Sequence, residues 1–237
     1  AEWARTSHDG SLAELSFSPS GSVWDEVASD SGNCLGKSCP TYKDCFYFRA
    51  RRRAQHAQLI VVNHALFFSD LALRRAGASL LPDYHTVIFD EAHTLESVAG
   101  DHLGLQISSG QVEYLLNRLY NDRTQKGTLI DAKYQKEQRA VDDCRQAADD
   151  LIEQLLEWQS RRESRERNFN GRVREPIEIQ NRLSAELTSL GSSLRRAAMK
   201  IEDESERQNL ISAHDRCLSI ADQLSSWLEQ GQDDHVY

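Results

Sequence analysis

Seven residues, Val87-Ile88-Phe89-Asp90-Glu91-Ala92-His93, put two adjacent carboxylates and an imidazole directly after a short apolar run. Two of the three apolar residues are β-branched, which suits a buried strand. In open parallel sheets, ligands bind beyond the carboxyl ends of the strands. Carboxylates there can hold Mg²⁺ on a nucleotide and orient an attacking water. The competing reading of Asp90 and Glu91 is an ordinary helix start, where acids are favoured by the helix dipole.

Cys34, Cys39 and Cys45 form a second reactive set, spaced C-x4-C-x5-C, with Gly36 and Pro40 between them. Soft thiolates in such a loop suit zinc or an iron–sulfur cluster. Both ordinarily take four ligands, so three cysteines are one short. His8 and His56 qualify as a fourth by type alone. Cys144 and Cys217 lie on apolar helical stripes and are expected in a core. Gly36-Lys37-Ser38 resembles the end of a phosphate-binding P-loop. The glycine required five residues before Gly36 is Ser31, so the segment is not a phosphate cradle.

Two basic patches complete the set. Lys43 to Arg53 holds Lys43, Arg49, Arg51, Arg52 and Arg53 against Asp44, and Arg161 to Arg174 holds six arginines. Each also reads as a solvated helix face. The chain as a whole carries a net charge of −9 over 237 residues, which excludes a surface uniformly positive toward nucleic acid. Nucleic-acid contact, if made, must be local. The longest apolar stretch is broken at Asn63-His64 and is too short to cross a membrane. No basic start followed by an apolar segment marks a secretory signal. An initial Ala and a single methionine, Met199, point to a piece of a longer protein.

The elements that must position these groups follow from pattern. Residues 1 to about 32 predict irregular structure with short helical pieces. A helix is expected from Tyr47 to Ala57. Leu59-Ile60-Val61-Val62 predicts a strand, and Asn63 predicts the N-cap of a helix from His64 to about Arg75. Gly77 and Pro82 mark a loop before the strand at Val87. Strand, helix and strand in this order predict a βαβ unit with parallel strands. After Gly104, three- and four-residue apolar spacing predicts amphipathic helices. They run through Val112–Leu119, Val141–Trp158, Leu183–Ile201 and Leu210–Leu228. The fold class expected is mainly α with a small parallel β piece.

Four elements in one order carry a family resemblance. They are the cysteine loop, the run Cys45-Phe46-Tyr47-Phe48-Arg49-Ala50-Arg51, the turn Val61-Val62-Asn63-His64-Ala65-Leu66, and the DEAH sequence at Asp90. Together they resemble the DinG branch of the XPD-like iron–sulfur helicases of superfamily two, over roughly residues 5 to 100. The resemblance implies an internal fragment. Residues 1–50 would belong to an iron–sulfur domain and 51–104 to a RecA-like α/β motor domain. Residues 105–234 would form a helical arch domain, and 235–237 the return to the motor.

The same resemblance implies the roles. Cys34, Cys39 and Cys45 would be three ligands of a [4Fe–4S] cluster, the fourth lying outside the chain. Asp90 would serve Mg²⁺ of Mg-ATP, Glu91 would polarise water, and His93 would couple the nucleotide site to DNA-binding motifs. Arg49, Arg51, Arg52 and Arg53 would line a path for single-stranded DNA. The activity implied is an ATP-dependent DNA helicase with 5'-to-3' polarity, acting on single-stranded and forked DNA in repair or replication. It would be a bacterial cytoplasmic monomer, nucleoid-associated, with the rest of the helicase chain as its partner and no membrane. The Walker A loop would lie upstream, so this chain alone would be inactive. The rival readings are a non-enzymatic zinc-stapled helical module and an RNA helicase of the DEAH type.

Overall fold

A computed structural model describes residues 2–28, 32, 34–75, 77–167, 169–173 and 175–230. Arg174 of the second basic patch and the expected return at 235–237 lie outside the described residues, as does Ser31. The chain divides into two compact units, Ala1–Gly104 and Leu105–Tyr237. Among the described residues both are helical, and the one β feature is an isolated antiparallel bridge between Asn121 and Lys126.

In the first unit, α1 (Glu2–Thr6) and α2 (Gly21–Val27) meet through the edge-to-face rings of Trp3 and Trp24, 6.2 Å apart. α3 (Phe46–Gln55) follows the cysteine loop. The N-terminal loop rests on its first residue. Gly10 sits at φ +70°, and a β-carbon there would come within 2.6 Å of the Phe46 ring, so neither a side chain nor ordinary backbone angles fit. α4 (His64–Arg75) begins where the Asn63 carboxamide accepts the Leu66 N–H at 2.8 Å, a standard N-cap. α5 (Leu95–Leu103) packs beside α4. Phe67 and Phe68 on α4 are buried and cluster with Phe89 and Tyr84.

The expected parallel β piece is not formed among the described residues. Leu59–Val62 and Val87–Phe89 carry no ladder among the described residues. Leu59, Val61 and Ile88 are 82%, 89% and 90% exposed. A strand exists only as part of a sheet, since its backbone groups bond to a neighbour rather than within the segment. Apolar β-branched residues here have the right character without a described neighbour to pair with.

The second unit is a four-helix arrangement of α6 (Ser109–Leu119), α7 (Gln135–Arg165), α8 (Arg182–Ala198) and α9 (Glu204–Glu229). Each helix neighbours the next, and α9 closes back on α6. The starts are set by sequence. Ser108 and Gln111 form a capping box, Asn181 accepts from the Ser184 N–H, and Asp203 accepts from the Glu206 N–H. Leu116, Leu119, Val141, Leu187, Leu190, Leu194 and Leu210 are almost wholly buried. A β-carbon on Gly191 of α8 would lie 3.3 Å from the Cys217 β-carbon, so the missing side chain lets α9 approach closely. Polar groups inside are satisfied across helices. Ser193 donates to Glu137 at 2.7 Å, His214 Nδ1 to the Gly191 carbonyl at 2.9 Å, and Ser184 to the Ala221 carbonyl at 2.9 Å.

Cys144 and Cys217 are buried in this core. Burial pushes both thiols up, Cys217 to about 12. Helices α7 and α9 bring no pair of Cα atoms within 8 Å, so the two cysteines cannot bridge without backbone movement. Of the second basic patch, Arg161, Arg162 and Arg165 belong to the last turns of α7 rather than to a loop. Arg161 pairs with Glu157 at 2.7 Å and Arg162 with Glu166 at 2.6 Å.

Leu190→Ala removes a side chain with no exposure from the α8 contact surface. Chemical unfolding of the chain, followed by helical circular dichroism, is expected to show a loss of about 2–5 kcal/mol in the bundle transition.

Candidate functional site

The two carboxylates of the Asp90 turn are exposed and adjacent. The Asp90 side chain accepts the Glu91 N–H at 2.9 Å. Glu91 stands at φ 47° and ψ 47°, in the left-handed region that a non-glycine residue seldom adopts. A short 3₁₀ turn, Ala92–Thr94, then leads into α5. The Thr94 N–H and hydroxyl both donate to the Glu91 carbonyl, at 2.9 and 3.0 Å. His93 Nδ1 lies 3.3 Å from a Glu91 carboxylate oxygen, and both side chains are open to water. The geometry gives two exposed carboxylates on a backbone bent directly after the apolar run. It can hold a hard cation and an ordered water.

The start of α4 comes against this turn. His64 Nδ1 lies 3.1 Å from the Thr94 hydroxyl, and its ring centroid is 6.0 Å from that of Phe89. Farther along α4, Ser69 meets His102 of α5 at 3.1 Å. Asp70 has no exposure. Its carboxylate accepts the Leu80 N–H at 2.6 Å, the Leu81 N–H at 2.8 Å and the Arg74 Nε–H at 2.6 Å. Arg74 also donates to the carbonyls of Leu81 and Pro82 and to Asp83. Burial raises the Asp70 carboxyl, but the Arg74 guanidinium and the two amides outweigh it and hold the group below its ordinary value. The same contacts, led by the Asp70 hydrogen bond, push Arg74 up.

The cysteine loop is arranged differently from the acid turn. Cys34 is exposed, and Cys39 and Cys45 are half-buried. Cys34 Sγ accepts the Gly36 N–H at 3.4 Å. Cys39 Sγ meets the Thr41 hydroxyl at 3.3 Å, and that hydroxyl together with the Thr41 backbone lowers the thiol. Gly36–Ser38 is a 3₁₀ turn with Gly36 at φ +57°, which does not open into a longer helix as a phosphate loop would. Three accessible thiols suit a thiolate-bound metal or cluster by donor chemistry. Their placement is a separate matter, since no group of three or more metal-binding side chains is gathered among the described residues.

The first basic patch lies along α3. Arg49 donates to the His8 carbonyl, Arg51 to the Ser79 carbonyl and Arg52 to the Lys43 carbonyl, at 3.4, 2.8 and 3.3 Å. Arg49, Arg51 and Arg52 also stack on Phe46, Tyr47 and Tyr42. Neutral carbonyls and rings leave the positive charge uncompensated. Arg49, Arg52 and Arg53 are exposed. An array of cations interleaved with aromatic rings is what single-stranded nucleic acid requires of a surface.

A cavity of about 1020 Å³ lies in the second unit among residues such as Val112, Leu155 and Trp227. None of the predicted site residues lines it. Its lining carries charged side chains, Asp142, Arg145 and Asp149 among them, but none of the motifs read in the sequence. Residues missed in the sequence are His64, Thr94, Asp70 and Arg74. The Asp70–Arg74 pair was visible as an i,i+4 spacing. His64 was absorbed into the reading of Asn63 as a cap, and nothing local links it to Thr94.

Residues 31–112 match the DEAD_2 family model. That segment contains the cysteine loop, α3, α4 and the acid turn. The ATP-dependent DNA helicase YoaA of Escherichia coli is 39% identical over 112 residues, 46% of this chain and 18% of that protein. YoaA of Haemophilus influenzae is 34% identical over 139 residues, 55% of this chain and 22% of that protein. The 3'-5' exonuclease DinG of Bacillus subtilis is 30% identical over 158 residues, 66% of this chain and 16% of that protein. The chain thus spans about a fifth of the length of the curated relatives it matches.

The lowered carboxyl of Asp70 has a stability consequence. Its contribution is present above the unfolded value of about 3.9 and is lost as pH falls through the lower folded value. Thermal melts of the chain from pH 6 down to about pH 2.5 are expected to show the first unit weakening below the unfolded value. Asp70→Asn should lower the melting temperature at pH 6 and flatten that dependence.

Proposed function

We propose that this chain, which belongs to the DinG-type helicase family, carries the magnesium and water half of the ATP site of a DNA helicase. The observation that carries the reading is the pair Asp90-Glu91. The two carboxylates are exposed at a bent turn within the segment that matches DEAD_2.

In this reading Asp90 holds the magnesium of Mg-ATP, which when bound supplies charge neutralisation on the phosphates. Glu91 accepts a hydrogen bond from the attacking water and draws its proton away as the water oxygen bonds the γ-phosphorus and the bond from that phosphorus to the ADP oxygen breaks. His93, 3.3 Å from the Glu91 carboxylate, links the turn to DNA-binding motifs elsewhere in the protein. The phosphate-cradling loop comes from another part of the protein, because the chain contains no P-loop sequence. The 237 residues alone therefore turn over no ATP.

Leu59–Val62 and Val87–Phe89 become adjacent parallel strands of a RecA-like sheet in the complete protein. Their exposed apolar side chains support this. Cys34, Cys39 and Cys45 supply three thiolates to a [4Fe–4S] cluster, with a fourth ligand from elsewhere; the cluster staples the loop that presents α3. Arg49, Arg51, Arg52 and Arg53 grip the phosphates of single-stranded DNA, and Tyr47 stacks a base. The helical unit from residue 105 is the arch beside that strand. The complete protein unwinds forked DNA with 5'-to-3' polarity as a monomer in the bacterial cytoplasm.

Glu91→Gln in the complete protein is expected to lower ATP turnover by about 100-fold or more while single-stranded DNA binding is retained. Turnover at the parent rate would refute the assignment. The purified complete protein should be brown, with broad absorbance near about 400 nm. A colourless protein holding stoichiometric zinc would overturn the cluster.

A further inference from the structure

We infer that His64 is a positioning residue for hydrolysis, holding Glu91 in its left-handed conformation through the Thr94 hydroxyl. The inference rests on Glu91 being the carboxylate that polarises water.

Glutamate in the left-handed region is disfavoured by its β-carbon, and such a residue persists where its surroundings over-determine it. Three hydrogen bonds converge on Glu91. Its N–H goes to Asp90, and its carbonyl receives both the amide and the hydroxyl of Thr94. All three are local to the turn, and a local set can unwind together. The contact of His64 with Thr94 spans 30 positions and brings in another element. It is therefore a polar tie from the turn to α4, beside the packing of Phe89 on Phe67 and Phe68.

Hydrogen count assigns the roles. The Thr94 hydroxyl has one proton, and the Glu91 carbonyl can only accept it. The same hydroxyl must then accept from His64, so Nδ1 carries a proton. If Nδ1 were bare, the hydroxyl would turn toward it and release Glu91. The imidazole thus orients the hydroxyl as well as bracing it. Its ring against Phe89 fixes the residue before Asp90 at the same time.

His64 is also the first residue of α4, directly after Asn63, whose carboxamide and carbonyl accept from Leu66 and Phe67. Residues 56–63 join α3, with its exposed arginines, to this point.

The test uses the complete protein, with ATP turnover measured with and without single-stranded DNA. His64→Leu and Thr94→Val should each lower kcat about 10-fold or more, with KM for ATP within about twofold. The double variant should be no slower than the slower single variant, because both remove one connection. His64→Asn, whose amide can donate to Thr94, and Thr94→Ser should recover most of the rate. In metal-free protein, hydrogen exchange at the Thr94 amide should quicken in His64→Leu and Thr94→Val but not in His64→Asn. Additive losses, a raised KM with kcat unchanged, or His64→Asn no better than His64→Leu would overturn the inference. Glu91→Gln separates it from its premise. If that variant keeps parent turnover, the reading of Glu91 fails; if it loses turnover while the His64 and Thr94 losses add, only the role of His64 fails. If His64→Leu does not fold, Thr94→Val and Thr94→Ser carry the same comparison.

Discussion

A buried carboxylate that holds two backbone amides and a guanidinium cannot move without stranding charge in a dry place. Asp70 is such a group. It fixes Leu80 and Leu81, and through Arg74 it fixes Pro82 and Asp83 as well. The loop so held is the one that delivers Val87–Phe89 and the acids after them. At the other end of α4, Asn63 caps the helix and His64 meets the acid turn. The first unit lacks a sheet among its described residues, so α4, tied at both ends, does the positioning that a central strand would do elsewhere.

The second unit is organised by a different constraint. Its helices are amphipathic and short of polar groups inside, and they pack in a ring around leucines. Buried Ser193 and His214 meet partners on neighbouring helices, Glu137 and Gly191. Gly191 permits the closest helix approach. The thiols of Cys144 and Cys217 are raised by burial and kept from bridging by the separation of their helices, whose Cα atoms nowhere come within 8 Å. The unit is a scaffold whose reactive side chains are shielded, in contrast to the exposed thiols and acids of the first unit.

Helices were readable because their signal is local. The stripe through Val141, Cys144, Leu151 and Leu155 and the cap at Asn63 lie within a few turns of the residues they order. Leu59–Val62 and Val87–Phe89 have strand composition, but a ladder needs a neighbour, and sequence cannot supply one. The acids at Asp90 and Glu91 were visible by type. The left-handed bend at Glu91 was not, because its hydrogen bonds come from Thr94, which itself meets a histidine 30 positions before it. The cysteines were visible by spacing, and spacing says nothing of whether the sulfurs converge.

Asp90 and Glu91 are the point at which the family match and the geometry meet, and the proposed function places on them the ATP hydrolysis that drives strand separation. The direct measurement is separation of a forked DNA duplex by the complete protein, with ATP, with a non-hydrolysable analogue, and with Asp90→Asn. The account predicts separation with ATP alone and its loss in the variant. Separation by the Asp90→Asn protein at the parent rate, or separation with the analogue, would contradict it.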